Sequence, residues 1–236
     1  MRISHIKNEL TRNWVLLFAA STGVICSSIV LPFYSLGALV VPITEEFGWS
    51  RAEFQLALLF STGTGVITAP LVGIVIGRFG ARRVALSGLV GLSCALILAA
   101  FQNGELWMLY LAYTAMAFLG AGTIPVTWTR AITSIFVTQR GLALGIMLSG
   151  TGICAIIVPQ LTVWLTSEYG WRTAYLGLAA LPTLIAGPLV YFFFKPANSI
   201  EEGSEAAKAS QQGMTFSEAT RGYRFWVLLT SIFLVY

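Results

Sequence analysis

Six stretches of this 236-residue chain carry no Asp, Glu, Lys or Arg: residues 13–44, 54–77, 84–104, 106–129, 141–167 and 173–194. Even the shortest, 84–104, matches the roughly 20 residues that an α-helix needs to cross about 30 Å of hydrocarbon. Lipid offers backbone amides no partner except one another, so such a chain is expected to be an all-α membrane protein. Composition agrees. The chain is 56% apolar and 10% charged, against about 45–50% and about 25% in soluble domains. The pattern predicts a tail over 1–13 and spans near 14–42, 53–77, 84–101, 106–135, 141–166 and 173–194. A hydrophilic stretch, 195–224, reads as a linker between two bundles. Apolar residues resume over 225–236, too few to cross, and read as the start of a seventh helix. On that reading the chain is the front portion of a longer protein, lacking a C-terminal six-helix half.

Lys and Arg placement sets the expected orientation. With the N-terminus inside, Arg2, Lys7, Arg12, Arg78, Arg82, Arg83, Arg140, Lys195, Lys208, Arg221 and Arg224 share one side, and only Arg51 and Arg172 lie on the other. The expectation is a multi-pass protein of the cell (inner) membrane with a cytoplasmic N-terminus. The basic balance belongs to a membrane surface, because no soluble segment interleaves cations with aromatics as a nucleic-acid binder would. Trp14, Trp49, Trp107, Trp164, Trp171 and Trp226 fall near span ends, where the amphipathic indole prefers to sit, and Trp128 does not.

Catalysis in the bilayer needs a nucleophile with a base, or a metal with ligands. The sequence has no aspartate, its one histidine is His5 in the tail, and every glutamate lies in a loop, a tail or at a span end. No catalytic group, metal site or cofactor site can be assembled from these. Cys26, Cys94 and Cys154 fall inside spans without a CxxC spacing and read as packing residues. Ala69, Gly73 and Gly77, and likewise Gly141, Gly145 and Ser149, form small-residue stripes that suit close helix packing. Prolines 32, 70, 125, 159 and 182 are expected to interrupt five of the six spans.

The connection between spans 2 and 3 reads GIVIGRFGARR. It resembles the loop 2–3 motif of the major facilitator superfamily, G-x-L-x-D-R-x-G-R-(K/R), with Gly73, Arg78, Gly80 and the basic pair Arg82 and Arg83 in place. Gly77 stands where the motif has its acid, and Ala81 where it has a base. In that family the loop is a gating latch between two halves, and a missing carboxylate weakens the latch that the resemblance implies. Three arginines obeying the positive-inside rule would give a similar loop. Residues 135–150, IFVTQRGLALGIMLSG, resemble the span 5 pattern of monocarboxylate porters through Phe136, Arg140, Leu142, Ala143, Gly145 and Gly150, and the oxalate/formate antiporter group has a related arrangement. Glu218, Ala219, Phe225 and Trp226 resemble the lead into helix 7, and EFGWSR and EYGWR are similar to outer loops of these transporters. The drug/proton antiporter pattern of helix 5 has no counterpart around Pro159. The fold that the resemblance implies is the six-helix N-terminal bundle of the major facilitator fold plus the start of helix 7.

Arg130 is the cation placed deepest in a span. Snorkelling to the interface is one account of it. On a continuous helix, however, Thr123, Thr127 and Ser134 would share its face, and a polar stripe ending in a guanidinium suits a carboxylate held by two hydrogen bonds. In span 1, Ser27 and Tyr34 are spaced to share a face, and Tyr34 resembles the helix 1 aromatic that lines the site of oxalate/formate transporters; an interfacial belt is its other reading. Gln160, with Thr64 and Thr68, is a weaker candidate for a cavity lining. The reading that joins these residues is a secondary transporter that carries a small, monocarboxylate-like organic anion by alternating access. The rival is a non-transporting six-helix interaction partner.

Overall fold

The computed structural model describes residues 2–194, 222–223, 225–227 and 230, with side chains from Glu9 onward. The expected linker over 195–224 lies almost wholly outside the described residues, as does most of 225–236. The chain divides into two compact units, Met1–Ala197 and Asn198–Tyr236. In the second, Tyr223, Phe225–Val227 and Thr230 are helical.

The first unit is built from nine helices among the described residues: α1 Arg2–Ile25, α2 Val30–Phe47, α3 Arg51–Phe79, α4 Ala81–Ala100, α5 Leu106–Leu119, α6 Pro125–Ile135, α7 Arg140–Tyr169, α8 Trp171–Ala180 and α9 Gly187–Phe193. They form six membrane-length segments, three of them broken. Span 1 is α1 and α2 across residues 26–29, and span 4 is α5 and α6 across a 3-10 turn at Gly120–Thr123. Span 6 is α8 and α9 across a π-helical turn at Leu181–Ala186. Spans 2, 3 and 5 are the unbroken α3, α4 and α7.

Local chemistry sets these boundaries. Ser50 opens α3 with a reciprocal cap: its hydroxyl accepts the Glu53 N–H at 3.1 Å, and the Glu53 carboxylate accepts the Ser50 N–H at 2.8 Å. Gly80, at φ +82°, is the single residue between α3 and α4, a backbone state that side chains disfavour. The expected tail is helical from Arg2, and a kink at Asn13 (φ −116°, ψ 18°) separates it from the span. Its Glu9 carboxylate accepts N–H groups from Val137 at 3.0 Å and Gln139 at 3.3 Å, tying the tail to the start of α7.

Apart from spans 3 and 4, spans adjacent in sequence are not the main packing partners. Span 1 lies against span 5, span 2 against span 4, and span 3 against spans 4 and 6. Large buried side chains gather in two main bodies, beside a smaller cluster of Val72, Ile76, Val84, Ala121 and Ile124. One, toward the end where α2 meets α3 and α7 meets α8 (the tryptophan end), holds Leu31, Leu39, Phe54, Leu96, Tyr113 and Tyr175. The other, toward the turn of α3 into α4 (the arginine end), holds Leu17, Trp128, Ile132, Phe136, Met147 and Phe194. Between them the helix breaks lie among small and polar residues.

The glycines that pack are not those of the two expected stripes. Around Gly73, Gly77, Gly141 and Gly145 an added β-carbon would meet nothing within 4 Å. At Gly88 it would lie 2.8 Å from the Gly122 α-carbon, at Gly91 it would lie 2.5 Å from the Leu119 carbonyl oxygen, and at Gly122 it would collide with the Val84 carbonyl oxygen. Span 3 therefore presses its backbone onto the break of span 4. The prolines also divide. Pro32, Pro125 and Pro182 stand at or beside the breaks, whereas Pro70 and Pro159 lie inside continuous helices. Trp171, expected in an interfacial belt, is buried: its indole donates to Glu46 at 2.5 Å, and Arg172 pairs with the same carboxylate at 2.8 Å.

Gly122→Ala is expected to destabilise the bundle by about 1–3 kcal/mol through backbone overpacking. Gly63→Ala, in open space on α3, should leave stability unchanged or raise it by up to about 1 kcal/mol through helix propensity. Thermal unfolding midpoints of the two variants in detergent compare them.

Candidate functional site

The site begins with two interrupted helices that repair one another. Pro32 has no N–H to donate four residues back, and its ring crowds the carbonyl of Ser28, so regular helix is lost over 26–29. Pro125 likewise drives Ile124 into an extended conformation (φ −61°, ψ 156°), ending the turn Gly120–Thr123. The freed groups find partners at the crossing. The Ser28 N–H donates to the Thr123 hydroxyl at 2.9 Å, and that hydroxyl donates to the Gly120 carbonyl oxygen at 2.7 Å. The Ser27 hydroxyl accepts the Val30 N–H at 3.2 Å and so starts α2. The Trp128 indole donates to the Thr123 carbonyl oxygen at 2.7 Å, and its ring fills the space that Gly23 leaves on α1. A β-carbon on Gly120 would lie 2.6 Å from that of Ser28, so the breaks meet at one level.

Arg130 lies on α6, exposed, and its Nη1 donates to the Gly73 carbonyl oxygen of α3 at 3.3 Å. No carboxylate lies within ion-pairing distance of it among the described residues, where the one ion pair is Arg172–Glu46. Its remaining donors make no hydrogen bond among the described residues. The contact joins the candidate anion-binding residue to the first glycine of the loop 2–3 motif, a link that no sequence spacing displays.

The other candidates are distributed as follows. Thr127, Thr123 and Ser27 are wholly buried, so in this conformation they stand inside helix contacts and not on an open wall. Thr123 belongs to the 3-10 turn, and the extended Ile124 separates it from α6, so the expected continuous stripe from Thr123 to Arg130 is cut. Ser27 precedes α2, so it does not share a helical face with Tyr34. The Thr127 and Ser28 hydroxyls are both buried without a partner. Tyr34 is half-buried on α2, its ring edge-on to Phe33 at 5.3 Å, and Gln160 is exposed on α7. Thr64 and Thr68 bond carbonyl oxygens of their own helix.

Height along the bundle separates the two strongest candidates. Spans 1 and 4 leave the crossing in opposite directions, placing Tyr34 roughly 9 Å toward the tryptophan end and Arg130 roughly 10 Å toward the arginine end at 1.5 Å per residue. A small anion reaches one of them at a time. In the loop motif, Arg78 lies 5.5 Å from the Phe79 ring, Arg82 lies 5.0 Å from the Tyr191 ring and donates to its carbonyl oxygen, and Arg83 is exposed. Nothing in the sequence signals that Arg82 is pinned to span 6. The breaks at 26–29 and 120–124 did have a signal, a proline shortly after serine or glycine.

Thr123→Val would leave the buried Ser28 N–H without its acceptor, a loss of about 1–3 kcal/mol in stability. Thr127→Val, which removes a hydroxyl without a partner, should be close to neutral. Unfolding midpoints that fail to separate the two variants would remove this crossing bond as a source of stability.

The sequence pattern of the family described as the Major Facilitator Superfamily matches residues 14–236. Among curated proteins, the chain is 30% identical to monocarboxylate transporter 14 of Homo sapiens over 158 residues, 66% of this chain and 31% of that protein. It is 28% identical to monocarboxylate transporter 9 of Pongo abelii over 181 residues, 75% and 35% of the two chains. It is 30% identical to monocarboxylate transporter 13 of Rattus norvegicus over 166 residues, 65% and 38%. The matched region spans about a third of the length of these curated relatives.

Proposed function

The chain belongs to the major facilitator superfamily, a family of membrane transporters, and from that premise we propose that it carries a small organic anion of the monocarboxylate type. The observation that carries this reading is Arg130, an exposed guanidinium within a broken span that no carboxylate neutralises among the described residues. A cation at membrane depth is costly unless it is compensated. A carboxylate substrate supplies the compensation through two parallel hydrogen bonds, a geometry that guanidinium offers and ammonium does not. The names of the similar proteins agree with a monocarboxylate cargo. Thr127, with its buried and unpartnered hydroxyl one turn before Arg130, is the group that a modest shift of α6 brings to the same anion.

Transport follows from position. The breaks at 26–29 and 120–124 divide spans 1 and 4 at one level, with Arg130 on one side and Tyr34 on the other. In the proposed cycle these are successive stations, Arg130 toward the arginine end and Tyr34 toward the tryptophan end. Gln160 is a polar neighbour of the path. The six helices work against a second six-helix half, and rocking of one against the other exposes the path to each side in turn. The turn Gly73–Arg83 gates the arginine end, which faces the cytoplasm together with the N-terminus. The described spans carry no buried carboxylate or histidine, so a proton-coupled cycle takes its titrating group from the second six-helix half, whereas anion exchange or facilitated diffusion requires none.

Arg130→Gln in the complete transporter is expected to lower the apparent affinity for a monocarboxylate about tenfold or more, the weight of a charged hydrogen bond of about 1.5–3 kcal/mol. Arg130→Lys keeps the charge and should restore only part of it. Radiolabelled uptake beside a membrane-insertion control reads both, and uptake equal to the parent protein would defeat the assignment. Accessibility labelling of a cysteine placed at Arg83 tests the orientation. Labelling from outside intact cells contradicts it.

A further inference from the structure

At the arginine end, the turn of α3 into α4, part of the proposed gate, and the end of α9 form a corner on the surface of the bundle. Arg78, Arg82 and Arg83 stand there with no carboxylate in ion-pairing distance among the described residues. Arg82 is held in place: its guanidinium lies 5.0 Å from the Tyr191 ring and one of its nitrogens donates to the Tyr191 carbonyl oxygen. Arg83, beside it on α4, is exposed. Around these cations the surface is aromatic and outward-facing, with Tyr191 56%, Phe192 65% and Phe193 45% exposed on α9, and Phe79 52% exposed on α3.

We propose that this corner binds an anionic phospholipid. The headgroup phosphate bonds to Arg82 and Arg83, and the acyl chains lie along Tyr191, Phe192 and Phe193. Two features select this occupant. Charge complementarity calls for an anion, and planar guanidinium groups match phosphate oxygens two at a time. The aromatic side chains of α9 call for hydrocarbon beside that anion, at the depth where rings sit between headgroups and tails. A soluble phosphate satisfies the first requirement and leaves the second unmet. A zwitterionic lipid brings its own cation to an already cationic corner. Arg82 is ordered before the lipid arrives, so binding loses little side-chain freedom there. The proposal is independent of the cargo and of Arg130.

Native mass spectrometry of the full chain in neutral detergent, titrated with phosphatidylglycerol or phosphatidylcholine, tests it. The parent protein should retain phosphatidylglycerol in preference to phosphatidylcholine. Arg82→Gln with Arg83→Gln should weaken phosphatidylglycerol binding about thirtyfold, the effect of two cations at a membrane surface. Arg51→Gln, an exposed arginine at the other end of the bundle, should leave it unchanged. If the double variant does not elute as a folded protein, the single Arg83→Gln variant should show about a fivefold loss. Equal retention of the two lipids by the parent, undiminished phosphatidylglycerol binding in the folded variants, or an equal loss in Arg51→Gln would each overturn the assignment.

Discussion

Hydrocarbon supplies no hydrogen bonds, so any interruption of a membrane helix must be answered from within the protein. In this bundle the answer is reciprocal. Span 1 loses its ladder over residues 26–29 and span 4 over 120–124, and the Ser28 N–H meets the Thr123 hydroxyl at 2.9 Å. Much else in the arrangement follows from that bond. It fixes the two breaks at one level, and it is reached only because Gly120, Gly122, Gly88 and Gly23 let backbones and the Trp128 ring come close. It also divides the large buried side chains into a body on each side.

The pairings show an order of their own. Span 1 packs with span 5, span 2 with span 4, and span 3 with both span 4 and span 6. Exchanging the first three spans for the last three, in sequence, leaves the pairs 1–5, 2–4 and 3–6 unchanged and carries the extensive 3–4 contact onto the slighter one between spans 1 and 6. The same exchange carries the break of span 1 onto that of span 4, and it reverses the direction in which each span runs. Inverted repeats of this type are a common basis of transporter folds. Side chains do not follow the rule: Arg130 on span 4 bonds a carbonyl oxygen of span 2, whereas its counterpart pair, spans 1 and 5, carries the Ser21 hydroxyl directed at the Ile146 carbonyl oxygen and the Cys154 thiol directed at that of Ile25.

The spans were legible because their signal is coarse: long uncharged runs, read against a fixed hydrocarbon thickness. The family was legible in the loop around Arg78 and in the stretch that follows Phe136. Helix continuity was harder to read. Pro70 and Pro159 sit within intact helices while Pro32, Pro125 and Pro182 attend breaks, and the difference lies in which tertiary neighbours can accept the freed groups. For the same reason helical spacing misplaced Thr123 and Ser27, which belong to irregular turns. The glycines of the small-residue stripes find no packing neighbour among the described residues of this chain. Spacing finds glycines on one face, but only the packing order reveals that Gly88 and Gly122 touch a neighbour while Gly73 and Gly145 do not. The buried Trp171, bonded to Glu46, escaped a rule that sends tryptophan to the interface.

The division of the interior into two bodies has a mechanical consequence. Bulky residues such as Tyr113 and Tyr175 on one side, and Trp128 and Phe194 on the other, interlock within their own body. At the crossing between them stand Gly120, Gly122, Ser27, Ser28 and Thr123, with Ile25 and Leu181 packed against both bodies. Only spans 1, 4 and 6 are interrupted, whereas α3, α4 and α7 run the height of the bundle unbroken. Any flexing at mid-height therefore falls to the interrupted spans, with the three continuous helices as the struts that keep the two ends apart.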